Sequence, residues 1–145
     1  MNEIIEKENI IIENLIYEVR GVQVMLDSDI AKLYQVETKR VNEAVKNNPF
    51  KFPERFSFVM TDLEKDILWS KFSTANISSK SRSNPRVFTE QGVYMLATVL
   101  KSKVATEVSI AIMDTFVKMR YYINYNKIFL PNKFFTFRKK RGRNY

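Results

Sequence analysis

Cysteine and histidine are both missing from the 145 residues. Without them the chain forms no disulfide and holds no zinc through thiolate or imidazole. It also has no Cys- or His-dependent nucleophile or base. An enzyme of this composition would have to work with carboxylate-bound metal such as magnesium, or with lysine and tyrosine as acid and base. Long apolar runs are missing too, and no stretch approaches the ~20 residues needed to cross a bilayer. The opening Met1-Asn2-Glu3-Ile4-Ile5-Glu6-Lys7-Glu8 is acidic, without the basic start and apolar centre of a secretory signal. These absences predict a cytoplasmic protein that uses no cofactor or metal, contacts no membrane and has no catalytic role.

What is present suits a globular chain. Hydrophobic residues make up 45% and aromatic ones 13%, enough to bury a core in one compact domain. The expected division is an acidic extension at 1–9, the domain at 10–125 and a basic aromatic tail at 126–145. Net charge is +8 and unevenly spread. Glu3, Glu6, Glu8, Glu13 and Glu18 face a single Lys7 at the start. Lys133, Arg138, Lys139, Lys140, Arg141 and Arg143 close the chain with no acid. The stretch between them keeps an excess of bases, so the basic character does not depend on the tail. Such an excess favours a polyanion, because each phosphate neutralised releases condensed counterions.

Residues 10–26 contain two β-rich stretches, Ile10–Val19 and Val22–Leu26, around Arg20-Gly21. They predict a hairpin with Leu15, Tyr17, Val19, Val22, Val24 and Leu26 on one face. Pro49 and Pro53 restrict the next strand to Phe56–Met60, expected to pair with that hairpin. Thr61 or Asp62 caps a short helix with Leu63, Ile67 and Leu68 at helical spacing. Residues 70–86 carry Lys71, Lys80, Arg82 and Arg86 without an acid and read as a basic loop. Val87-Phe88 is a short strand, Thr89 caps a helix, and a longer helix runs from Val104 to about Tyr125. The fold class is α+β: a helix-turn-helix and a small antiparallel sheet, the N-terminal hairpin plus one or two short strands, packed against about five helices.

Function is expected in Asp29–Asn47. A short helix, a three- or four-residue turn and a second helix follow one another there. Ala31 is the small residue at the helix crossing, and Ile30, Tyr34, Val36, Val41 and Val45 fill the wedge. The second helix then holds Thr38, Lys39, Arg40, Asn42, Glu43 and Lys46 outside the wedge, which is suitable chemistry for a recognition helix. Lys39 and Arg40 suit phosphates or guanine edges, Asn42 adenine, and Lys46 the backbone. Arg20, Lys71, Lys80, Arg82 and Arg86 are candidate phosphate contacts.

The run Arg20-Gly21-Val22-Gln23-Val24-Met25-Leu26-Asp27-Ser28-Asp29-Ile30-Ala31-Lys32-Leu33-Tyr34, followed by Val36–Asn47, resembles the phage and bacterial ORF-six-N domain, a relative of the KilA-N domain. The resemblance continues through Arg55-Phe56-Ser57-Phe58, Phe88–Leu96 and Ile112–Val117. It implies a DNA-binding domain of phages and integrated elements with regulatory or antirepressor roles, and it supplies no catalytic site. Gln35 departs from the pattern by standing where the turn usually has Gly.

Two alternatives remain. A magnesium nuclease would use Asp27 and Asp29, or Asp62, Glu64 and Asp66 with Lys65, yet each group lies where a helix begins, a common place for acids. A protein-interaction module binding a repressor, or a homodimer, would use the last helix. Its apolar stripe of Val104, Val108, Ala111, Ile112, Phe116, Met119 and Ile123 is widened by Ile110, Met113, Val117 and Tyr121, although a central core helix explains the same pattern.

Overall fold

A computed structural model describes residues 11–72 and 83–125, with side chains through Tyr121. The acidic extension, Lys80, Arg82, the side chain of Ile123 and the basic tail lie outside the described residues.

The chain enters through a 3-10 turn at Ile12–Leu15 and then forms β1 (Ile16–Val19) and β2 (Val22–Leu26). Their register joins Val19 to Val22, leaving a two-residue turn. Arg20 and Gly21 both have positive φ, 56° and 76°, as a type I′ hairpin requires. The expected strand was longer, from Ile10. Ile12–Leu15 instead wind into the 3-10 turn, which carries Leu15 into the core beneath the helices and away from Tyr17 and Val19.

Four antiparallel strands follow the order β1-β2-β4-β3, where β3 is Ser57–Val59 and β4 is Arg86–Phe88. The expectation that residues 56–60 pair with the hairpin is corrected here. β4 lies between them, pairing Leu26 with Val87 and Phe58 with Val87. Val87 and Phe88 are both fully buried, one on each face of the sheet, so a three-residue strand holds the centre.

Five helices complete the described residues: α1 (Asp27–Tyr34), α2 (Thr38–Asn47), α3 (Asp62–Lys71), α4 (Glu90–Leu100) and α5 (Lys103–Tyr125). Ile16, Met25 and Phe88 point from one sheet face into a core with α1, α2, α4 and α5. Tyr17, Val19, Val24, Leu26, Phe58 and Val87 point from the other towards Met60 and Leu68. α3 covers that second face mainly through Leu68. Leu63, placed with it by spacing, is 68% exposed. Thr61 caps α3 in a full capping box: its hydroxyl accepts from Glu64 N–H, and Glu64 accepts from Thr61 N–H.

Gly92 in the first turn of α4 permits a close approach. A Cβ there would lie 2.0 Å from the carbonyl oxygen of Phe56. That same oxygen accepts from Thr89 N–H at 3.0 Å, so the helix start is docked on the end of β3. Of α5, Val108, Ile112, Phe116 and Met119 are buried, while Ile110 and Val117 remain 51% and 44% exposed.

Candidate nucleic-acid interface

α1 ends because Gln35 adopts a left-handed conformation, φ 63° and ψ 39°. Gln35 N–H donates to Lys32 O at 3.2 Å and Val36 N–H donates to Ala31 O at 3.0 Å. This pair of bonds is a Schellman closure, in which glycine is the usual left-handed residue. Gln35 therefore takes the geometry normally left to glycine, and the turn Gln35-Val36-Glu37 has the expected length. Val36 folds back on the core, and Glu37 is the N-cap residue of α2.

Ile30, Ala31, Tyr34, Val41, Ala44 and Val45 meet in the same buried cluster, as the helix-turn-helix pattern predicts. Tyr34 ties the pair to the scaffold through a 2.5 Å hydroxyl–hydroxyl bond with Ser109 of α5. With Val41, Ala44 and Val45 turned inward, Lys39, Arg40, Glu43, Lys46 and Asn47 are exposed. At 100° per residue these positions share one side of α2. An open groove of about 730 Å³ runs between this side and the turn, lined by Gln35, Val36, Glu37, Lys39, Arg40 and Glu43.

A family model described as the ORF6N domain matches residues 14–99. The chain belongs to the ORF6N family. No curated protein and no solved structure matches it. The matched region of this ORF6N chain covers all four strands, the helix-turn-helix and nearly all of α4, and stops before α5.

Several candidate contacts sit in surroundings that sequence spacing did not reveal. Asn42 is half-buried: its amide nitrogen donates to Asp27 Oδ2 at 2.9 Å and to Thr38 O at 3.2 Å. Asp27 also accepts from Ser28 N–H at 2.7 Å and from Arg86 N–H at 3.2 Å. One buried carboxylate thus joins the start of α1, the middle of α2 and the sheet. Thr38 is half-buried beside it. This geometry assigns Asn42 to holding α2 in place.

Arg20 meets its own acids. It grips Glu64 through two bonds, Nε at 2.7 Å and Nη2 at 3.0 Å, reaches Glu54 at 3.3 Å and stacks 4.0 Å over Phe58. The hydrogen bond from Arg20 holds the Glu64 carboxyl below its usual pKa. Arg86 is half-buried and donates to Ser57 Oγ at 3.1 Å; burial pulls its pKa down, opposed by the charge of Asp27. Lys71 ends α3 and is exposed. Lys80 and Arg82 lie outside the described residues.

Sequence spacing also missed the turn after α2. Pro49–Lys51 forms a 3-10 turn in which Phe50 is fully exposed, while Phe52, just after it, points inward, edge-on to Phe88 at 6.1 Å. Phe–Lys–Phe flanked by prolines reads as interrupted strand, so nothing in the sequence marked one ring as core and the other as surface. Among the described residues no group of three or more acidic side chains is placed to share a metal ion. No helix there is long and apolar enough to cross a membrane.

Proposed function

We propose that this ORF6N chain is a non-catalytic regulator of the phage or mobile-element type that reads double-stranded DNA by laying α2 in the major groove. The supporting observation is the exposed side of α2, with Lys39, Arg40, Glu43 and Lys46 on a helix whose opposite side is fixed in the core. A major groove about 12 Å wide admits one such helix. Lys39 and Arg40 are in its first turn, where the helix dipole adds attraction for phosphate. Arg40 is suited to a guanine edge, Glu43 to the amino group of cytosine, and Lys46 to the backbone.

Selection of duplexes from a random pool, followed by gel shifts, tests this reading. Arg40→Ala should relax base preference at one position by about 1–3 kcal/mol. Lys46→Ala should weaken all sequences alike. No change in either variant removes α2 from the interface.

The exposed Ile110 and Val117 on α5 favour a second reading, in which this helix face joins a second copy or a repressor protein and the chain acts as an antirepressor. Salt separates the two. DNA affinity falls steeply as salt rises, with a slope set by the phosphate contacts, whereas apolar association does not weaken in that way.

A further inference from the structure

We infer that Phe50 is an apolar wedge that enters the stack of bases beside the groove read by α2, an inference that rests on the DNA-binding reading above. Phe50 is 100% exposed. Every other described phenylalanine is buried or half-buried, so the exposure is particular to this position. A ring left wholly in water forgoes the burial that stabilises other aromatic side chains, and it packs against nothing within the fold.

Its support is rigid. Asn48 closes the end of α2 by donating its amide to Ala44 O at 2.8 Å. Pro49 fixes the first position of the turn, and Lys51 N–H donates to Asn48 O at 2.9 Å. Buried Phe52 anchors the far side. The ring is therefore held out by a pinned turn and can act on a partner without first being ordered.

The charges around it select the partner. From Ala44 to Pro53 the charged residues are Lys46 and Lys51, both exposed and both positive; of the exposed acids that flank this segment, Glu43 is on the face of α2 and Glu54 is paired with Arg20. Lysines in the same segment as an exposed aromatic ring fit a polyanion with stacked planar groups better than an apolar protein surface. Phe50 is three positions beyond Asn47, the last residue of α2, so its Cα lies within about 11 Å of Asn47. That reach is sufficient for the base steps next to those under the helix. The ring would enter from the minor groove next to the major groove read by α2, the side from which apolar wedges unstack a flexible pyrimidine–purine step and kink the duplex.

The test uses the full chain and duplexes selected from a random pool by the wild-type protein, labelled with aminopurine at successive steps. Wild type should raise aminopurine fluorescence at one step flanking the main contact, and Phe50→Ala should abolish that rise. Affinity should fall about ten- to hundredfold in Phe50→Ala, the range for loss of one aromatic–base stack, with an unchanged salt slope because no phosphate contact is lost. Phe50→Trp should keep both signals, and Lys51→Ala should lower the salt slope by about one. The thermal midpoint of Phe50→Ala should match wild type. Tight wild-type binding with neither affinity nor fluorescence altered in Phe50→Ala overturns the wedge and leaves the DNA reading intact. The same holds if Phe50→Ala impairs capture of a protein while DNA binding is unaffected. A wild-type chain that enriches no duplex overturns both.

Discussion

At Gly92 the fold has no room for a methyl group. The Cβ of an alanine would fall 2.0 Å from the Phe56 carbonyl oxygen, and backbone cannot swing aside as a side-chain tip can. Alanine improves helix propensity by at most about 1 kcal/mol, less than the strain of forcing a helix away from its sheet. Gly92→Ala is therefore expected to destabilise by at least about 2 kcal/mol, seen as a lower thermal midpoint; an unchanged midpoint would mean that α4 docks less tightly than described. Gln35 presents the opposite case. An L-residue in the left-handed region carries strain of roughly 1 kcal/mol, so Gln35→Gly should stabilise by up to about 1 kcal/mol in urea unfolding. A destabilised variant would show that the Gln35 side chain contributes more than its backbone costs. Asn42→Ala removes a hydrogen bond to a buried carboxylate, worth about 1.5–3 kcal/mol. It should lower stability and weaken every DNA sequence equally. Relaxed preference at an adenine with no loss of stability would return Asn42 to base reading.

Elements of this chain were legible in proportion to how local their causes are. The Arg20-Gly21 turn, the Thr61 and Thr89 caps and the wedge of Ile30, Tyr34, Val41 and Val45 all follow from neighbouring residues, and each is found where expected. β4 as the central strand was not legible, because the pairing that makes Val87 and Phe88 central comes from segments 29 to 63 positions away. For the same reason the partners of Arg20, Asn42 and Arg86 were hidden: Glu64, Asp27 and Ser57 reach them through the fold. An exposed cation and an ion-paired one read alike in a sequence.

Contacts between elements also set a pH dependence. Burial holds the hydroxyls of Tyr34 and Tyr17 up at about 12, with the charge of Asp29 adding to the effect at Tyr17. An unfolded chain releases those protons near pH 10. The stability these groups contribute is thus complete below pH 10 and is lost as pH rises from 10 through about 12. Tyr34→Phe should lose less stability than wild type across that window, by about 2 kcal/mol. Equal losses in the two chains would contradict the burial of Tyr34.

Across the whole molecule, different surfaces do different work. β4 and α3 hold the hairpin, α4 and α5 support the helix-turn-helix, and one side of α2 with its flanking turns is left exposed, the surface proposed to meet DNA. Amide chemical-shift mapping of the isotopically labelled chain, titrated with a duplex it has selected, tests this most directly. Perturbations should centre on residues 36–51, with α3 and the outer face of α5 unchanged. Perturbations concentrated around Ile110 and Val117, with Lys39, Arg40 and Lys46 silent, would contradict it.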